Sequence, residues 1–244
     1  MKKLLLIILL FSAFIYSKNM NVNYGVSFGV LGQLGQANVK LSESGSKYTI
    51  DIHAKTIGIV KVMSKNRTER HISEGHIANG KYISDSYRVF ISYGNKTKEK
   101  IYTINHKTKT VTKQIIRKEN GKVILDKTEK LPFYSQNDLL SLYMNTPKLI
   151  GLPSDEAKVY RFKAVGAENQ EGNIEIRVPS NSEMTRYKKE LGDGYKHYFK
   201  AIINQPIFAS KRGEFMISVD SDGVTNKAIL QDLLLFGDLV AVKK

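Results

Sequence analysis

The five histidines are the side chains best suited to catalysis or metal binding in this chain, because it contains no cysteine. The lack of cysteine excludes disulfides, thiol nucleophiles and cysteine-ligated metals. Two ligands on one strand share a face only at a spacing of two residues. Glu69 with His71 and Glu74 with His76 have that spacing, but two ligands are too few for a metal site. We therefore predict no metal site and interpret the histidines as surface residues. They are His53, His71, His76, His106 and His197.

Two further patterns have simpler explanations than catalysis. Asp220-Ser221-Asp222-Gly223 is similar to the start of a calcium loop, but the downstream bidentate Glu is missing, so we predict a hairpin turn. The glycines between Gly25 and Gly35 lie in and after a strand, which favours sheet curvature over a phosphate-binding loop. No carboxylate pair stands out from the predicted turns. We therefore predict no catalytic residues and no cofactor, and these patterns assign no ligand-binding residue.

Residues 1–17 have the organisation of a secretory signal peptide. Two lysines precede an apolar run, Leu4–Tyr16, which is shorter than the roughly 20 residues of a membrane-spanning helix. We predict export with cleavage after Ser17, with an uncleaved anchor as the alternative. No later stretch reaches transmembrane length. Residues 18–244 are therefore expected to form one domain in the bacterial periplasm or elsewhere outside the cytoplasm, either soluble or peripheral to the envelope.

Positive charge is concentrated in the first half of the chain. Residues 18–130 contain 21 Lys and Arg against nine Asp and Glu, whereas residues 131–244 contain 15 against 14. A basic half favours an anionic partner, which for an exported protein means lipid headgroups or an envelope polymer. A general lysine bias on wet strand positions is the alternative. Nucleic acid is disfavoured, because Tyr102 is the only aromatic residue between residues 96 and 130.

Most of the chain alternates with a period of two, which is typical of strands with one buried face. The stretch from Asn21 to Ala54 predicts three antiparallel strands in succession. Asn79-Gly80 and Asn120-Gly121 predict tight hairpins, because both residue types tolerate positive φ. The apolar run from Ile57 to Met63 fits either a buried strand or a short helix. The apolar residues of the meander are Tyr24, Val26, Phe28, Val30, Ala37, Val39, Leu41, Tyr48, Ile50 and Ile52.

One helix is predicted between the two sets of strands. It should span residues 135–146, with Ser135 or Asn137 as its cap and Pro147 as its end. A second set of strands follows over residues 157–242. Within it, Ser180 and Glu183 have the spacing of a capping box for a short helix. The expected fold is mainly β: a strongly curved antiparallel sheet or open β-barrel, with one main helix packed on or into it.

Seven short segments, spread over most of residues 21–242, resemble one known family. They are Tyr24-Gly25-Val26-Ser27-Phe28, Leu34-Gly35-Gln36-Ala37, Tyr48-Thr49-Ile50, Ala54-Lys55-Thr56-Ile57-Gly58, Asn137-Asp138-Leu139-Leu140-Ser141-Leu142-Tyr143, Arg212-Gly213-Glu214-Phe215 and Leu234-Leu235-Phe236-Gly237-Asp238. The family is the exported bacterial domain-of-unknown-function family 3108. The resemblance implies an antiparallel sheet curved into an open barrel and secretion to the periplasm. It implies no catalytic residue.

These observations favour a non-catalytic envelope protein that binds a lipid-like or amphipathic ligand. A curved sheet of this size can enclose an apolar cavity. An interaction or assembly module of the envelope is the first alternative, and an enzyme acting on envelope polymer is the second. A continuous apolar cavity would favour the ligand-binding hypothesis, whereas a filled core would favour the assembly module.

Overall fold

The computed structural model describes residues 18–29, 32–202, 214–233 and 237–244. The predicted signal peptide, residues 1–17, lies outside the described residues. So do Val30, Ile203 and residues 234–236, which belong to predicted strands or to the predicted bend near the end of the chain.

Fourteen strands form a single antiparallel sheet in the described part of the chain. The strands are β1 (Asn19–Phe28), β2 (Gln33–Ser44), β3 (Lys47–Thr56), β4 (Thr68–Ala78), β5 (Lys81–Tyr93), β6 (Lys96–Asn105), β7 (Thr110–Glu119), β8 (Lys122–Lys130), β9 (Lys158–Lys163), β10 (Asn173–Val178), β11 (His197–Ile202), β12 (Glu214–Val219), β13 (Thr225–Leu233) and β14 (Gly237–Lys243). The helices are α1 (Gly58–Met63), α2 (Leu139–Leu149) and α3 (Met184–Leu191).

The sheet joins two meanders through the two ends of the described chain. Its order is β8-β7-β6-β5-β4-β3-β2-β1-β14-β13-β12-β11-β10-β9. The pairing of β1 with β14 therefore connects the basic half to the balanced half, with Tyr24 opposite Lys243. The sheet is not closed, because β8 and β9 are its two edges. This confirms the predicted open, mainly antiparallel β architecture.

Local sequence signals account for much of this arrangement. The predicted alternation places Tyr24, Leu41, Tyr48 and Ile50 in the interior. The Asn79-Gly80 pair has φ values of 51° and 71°, as expected for a two-residue turn with both residues in the left-handed region. The tight hairpins at Asn79-Gly80, between β4 and β5, and at Asn120-Gly121, between β7 and β8, therefore follow directly from sequence.

The apolar run after β3 forms α1 and not a buried strand. Ile59, Val62 and Met63 are 72%, 76% and 76% exposed. The main chain of Ile57, just before the helix, donates to the Leu34 carbonyl at 2.8 Å. The pairing of β3 with its two neighbours ends at Thr56, and the run that follows forms a helical turn whose apolar side chains are exposed.

The central helix α2 begins later and ends later than predicted. Its cap is Asp138, because the side chains of the expected caps are occupied elsewhere: Ser135 Oγ donates to the Lys163 carbonyl at 2.6 Å, and Asn137 Oδ1 accepts from Asn145 Nδ2 at 3.2 Å. Pro147 lies inside the last turn and does not end the helix. A proline there removes one hydrogen bond only two residues before the helix stops, so its cost is small.

The third helix covers the outer face of the second set of strands. The predicted capping box is confirmed, since Ser180 N donates to Glu183 Oε2 at 2.9 Å, and a short 3₁₀ turn leads into α3. Tyr187 and Leu191 of α3 pack with Met216 and Ile229 of the sheet. Strands β11–β14 therefore have apolar contacts on both faces, and their inner face is left to form the site described next.

An apolar cavity beneath the central helix

A buried carboxylate fixes the start of α2. Asp138 Oδ1 accepts from the main-chain amides of Leu140 and Ser141 at 2.7 and 2.8 Å, and Oδ2 accepts from Ser84 Oγ at 2.6 Å. The Ser141 hydroxyl in turn accepts from Asp138 N at 2.9 Å, which completes a capping box. Burial raises the pKa of Asp138, and these hydrogen bonds oppose that effect. The helix is therefore joined to β5 at its first residue.

A second polar contact joins α2 to β5 at Asn145, about two helical turns after Asp138. The Asn145 side chain accepts from Tyr82 N and donates to the Tyr82 carbonyl, both at 2.9 Å. The amide side chain thereby makes the two main-chain hydrogen bonds with Tyr82 that a neighbouring strand would otherwise make. With Asp138 and Asn145 both bound to β5, the orientation of the helix is fixed, and its other faces carry Leu142 and Tyr143 towards the second set of strands.

Between α2 and the inner face of the sheet lies a cavity of about 350 Å³. Its walls come from β1–β3, from α2 and from β10–β14. Four of the wall positions are alanines, in β2, β11, β13 and β14. Larger side chains at those positions would occupy the same space, so these small residues are the physical reason that the interior is not filled here. The alanines are Ala37, Ala201, Ala228 and Ala241.

One end of the cavity carries hydroxyl groups. The Tyr24 hydroxyl donates to the Thr225 carbonyl at 2.9 Å. Thr225 lines the cavity and is 7% exposed, and its Oγ1 has no hydrogen-bond partner among the described residues. Tyr143 lines the same end, where burial and the proximity of Tyr24 and Asp220 raise its pKa. A buried hydroxyl without a partner costs about 1–3 kcal/mol, so Thr225 is suited to receive a polar group from a ligand.

The other half of the interior is filled and polar in its centre. Glu168 accepts hydrogen bonds from Tyr102 and, at 2.8 Å, from Lys113, and Lys100 lies 3.4 Å away. Burial acts to raise the pKa of Glu168, but the bonds from Lys113 and Tyr102 and the two lysine charges outweigh it, so the pKa lies below its ordinary value of 4.5. Every group of this cluster is engaged by another, which fits a structural role.

The structure separates the histidines into different environments. His53 is exposed, as predicted. His71 is half-buried, with Nδ1 2.8 Å from the Tyr87 hydroxyl and Nε2 3.4 Å from Glu69 Oε2. The surface interpretation is wrong for His197, which is buried because the alternation of β11 turns it inward. The remaining two, His76 and His106, lie on either side of one carboxylate.

Sequence patterns assigned no ligand-binding residue, and the cavity shows why. Its walls come from eight strands and one helix that are distant in sequence, and almost all are ordinary core residues. The one signal within reach of sequence reasoning was the recurrence of alanine at inward strand positions. Among the described residues, no helix is both long and apolar enough to cross a membrane.

Fold and site together define an open antiparallel β-barrel, plugged by a capped helix, with an apolar cavity that has one hydroxyl-bearing end. The chain belongs to the family described as "Protein of unknown function (DUF3108)", whose model matches residues 20–212. This confirms the resemblance seen in the sequence.

A comparison with curated proteins finds no match. Among solved structures, the chain is similar to the "Beta-barrel-like Protein of Domain of Unknown Function DUF1849 from Brucella abortus". The TM-score is 0.47 at 8% sequence identity, and the likeness covers 93% of this chain and 95% of the other.

Proposed function

We propose that this protein is a non-catalytic binder of a single-chain amphipathic, lipid-like molecule, held in the cavity beneath α2. The observation that carries the proposal is an apolar cavity with one unpaired, buried hydroxyl, Thr225 Oγ1, at its polar end. Ligand pockets are commonly apolar, with a few polar groups that fix orientation.

The size of the cavity favours a small ligand. Its volume of about 350 Å³ is near the lower end of the roughly 300–1,000 Å³ of ligand pockets. One acyl or prenyl chain suits such a space better than a two-chain lipid does. The chain would contact the alanine-lined walls, where burial of apolar surface supplies the binding free energy.

The hydroxyl-bearing end favours an uncharged or hydrogen-bonding headgroup. Thr225 Oγ1 can donate or accept, and the Tyr143 hydroxyl lies at the same end. A ligand oxygen placed there would satisfy Thr225, which removes a cost that the unliganded protein bears. Orientation of the ligand therefore follows from the position of this residue.

The proposed location is the bacterial envelope. Support comes from the signal-like residues 1–17 and from the exposed lysines of β7 and β8, which are Lys118, Lys122, Lys127 and Lys130. An anionic surface of lipid headgroups or envelope polymer suits that charge. Binding of the ligand would then take place next to the membrane that supplies or receives it.

The proposal is tested by filling the cavity. Ala201→Leu should weaken binding of a fluorescent single-chain fatty acid by at least about tenfold, because the added carbons occupy ligand space. Ala157→Leu is the matched control, since Ala157 lies in the loop before β9 and outside the cavity. Equal affinity in wild type and Ala201→Leu, or no saturable binding by wild type, would refute the proposal.

An interaction module is the second candidate, and helix α1 favours it. Ile59, Val62 and Met63 form an exposed apolar surface next to β2 and β3. A photoreactive residue at position 62 should trap one discrete envelope protein if α1 is an interface. A cross-linking pattern without a discrete product, together with fatty-acid binding that Ala201→Leu abolishes, would leave ligand binding as the function.

A further inference from the structure

Three neighbouring strands bring two histidines to one carboxylate. His76 of β4 has Nδ1 3.0 Å from Asp85 Oδ1, and His106, in the turn after β6, has Nε2 3.0 Å from the same oxygen. One ligand atom from each residue lies within 4.8 Å of the others. Residues 9 and 21 positions away from Asp85 therefore meet at a single point.

We propose that His76, Asp85 and His106 form a binding site for a borderline divalent cation such as Zn²⁺. Two imidazoles with one carboxylate are a common donor set for this ion. The sequence analysis predicts no metal site, because it considers only ligands that are spaced along a single strand. The three ligands come together because β5 pairs with β4 on one side and with β6 on the other.

Two of the three ligand spacings are close to what the ion requires, and the third, between the two imidazole nitrogens, is at most 4.8 Å. Zn–N and Zn–O bonds of about 2.0–2.2 Å place two ligand atoms of a tetrahedral ion roughly 3.3 Å apart. The two His-to-carboxylate distances, each 3.0 Å, need to widen by only a few tenths of an ångström. All three side chains are partly exposed, so they can make this adjustment, and a water molecule can complete the coordination.

A neighbouring hydroxyl fixes the ring of His106. Its Nδ1 lies 2.9 Å from the Tyr134 hydroxyl. When Nδ1 donates to that oxygen, the lone pair of the imidazole is on Nε2, which is the nitrogen that faces Asp85. Metal-ligating histidines are commonly held by such a partner, and loss of the partner weakens metal binding.

The site lies next to the segment that leads into α2, so the bound ion would hold that segment against β5. Asp85 follows Ser84, whose main-chain amide donates to the Gln136 carbonyl at 2.9 Å and whose hydroxyl contacts Asp138. Tyr134 belongs to the same entering segment. Bound metal should therefore stabilise the connection between β4–β6 and the helix that forms one wall of the cavity.

The test uses the full, tag-free chain, titrated with Zn²⁺ and separately with Mg²⁺ by isothermal calorimetry, and a thermal melt with each ion. Wild type should bind one Zn²⁺ with a rise in Tm and show no response to Mg²⁺, because a hard cation disfavours imidazole. His106→Gln and Asp85→Asn should each weaken Zn²⁺ binding at least about tenfold, and Tyr134→Phe should do so by about tenfold.

His53→Gln is the matched control, because His53 is exposed and lies outside the cluster. It should bind Zn²⁺ as wild type does. The proposal is overturned if wild type shows no saturable Zn²⁺ binding, or if His53→Gln loses affinity as much as His106→Gln. If a cluster variant fails to fold by circular dichroism, the Tyr134→Phe titration decides.

Discussion

The two halves of the interior are packed in different ways, although one helix serves both. Under β2–β8, four tyrosines fill the space, and each hydroxyl has a partner: Tyr48 with Ser73, Tyr82 with Glu43, Tyr87 with His71 and Tyr102 with Glu168. Under β10–β14 and along β1–β3, the wall positions include four alanines, and a cavity remains. The first half is therefore a hydrogen-bonded polar core, and the second half contains an apolar cavity.

The contrast explains how one sheet can combine a rigid core with a cavity that remains open. Hydrogen-bonded side chains in a core fix one arrangement, because each unpaired group would be costly. Aliphatic walls impose no such requirement, so the second half tolerates either an empty or an occupied cavity. We therefore expect stability to depend mainly on the tyrosine half, and the proposed ligand binding to depend on the alanine half.

The largest effect is expected at Asp138, which joins α2 to the polar half. Asp138→Ala should lower the free energy of unfolding by about 3–4 kcal/mol, because it removes a cap and leaves the amides of Leu140 and Ser141 without an acceptor. Urea denaturation measures the loss. Asp138→Asn keeps a carbonyl acceptor and should cost clearly less, and an equal loss in both variants would contradict this account.

Glu168 tests whether the polar half is sensitive to acid. Glu168→Gln should cost about 2 kcal/mol at pH 7, because Lys113 loses one carboxylate partner while it keeps Glu129. The lowered pKa of Glu168 means that its contribution is present above pH 4.5 and is lost as the pH falls through the folded-state pKa. Denaturation curves of wild type and variant should therefore converge below pH 4.5, and parallel pH dependence would contradict this.

Two tyrosines compare the halves with the same chemical change. Tyr102→Phe should lower stability by about 1.5–2 kcal/mol, because its hydroxyl donates to a carboxylate. Tyr143→Phe, on the cavity wall, should change stability by less than about 0.5 kcal/mol. Thermal melts of both variants make the comparison, and equal losses would show that the two halves do not differ as described.

The smallest expected effect has the opposite sign. Thr225→Val should raise the stability of the unliganded protein by about 0.5–1 kcal/mol, because it replaces an unpaired buried hydroxyl with a methyl group. It should also weaken fatty-acid binding. Thr146→Val is the control: its Oγ1 donates to the Leu142 carbonyl at 2.8 Å, so that variant should gain no stability. Destabilisation by Thr225→Val would contradict an unpaired hydroxyl.

Sequence reasoning succeeded where the physical cause was local. Alternation, the Asn79-Gly80 turn and the Ser180–Glu183 capping box all depend on residues a few positions apart. It misplaced the start of α2 because Ser135 and Asn137 resemble caps in sequence, yet their side chains bind Lys163 and Asn145. A hydrogen bond from a candidate cap to a residue far away in sequence cannot be predicted from the residues next to that cap.

The candidate site could not be predicted for the same reason. Ala37 and Ala241 approach the same cavity only because β1 pairs with β14 and β2 with β1. His76 and His106 meet only through two hairpins. Each alanine or histidine on its own strand is unremarkable, and the chemistry arises from the strand order.

The central claim is that the alanine half holds a single-chain ligand, and native mass spectrometry of the protein purified from its envelope fraction tests it most directly. We expect one apolar-chain adduct per chain in wild type and in Ala157→Leu, and its loss in Ala201→Leu, where the cavity is filled. An adduct retained by Ala201→Leu, or none in wild type, would contradict the claim.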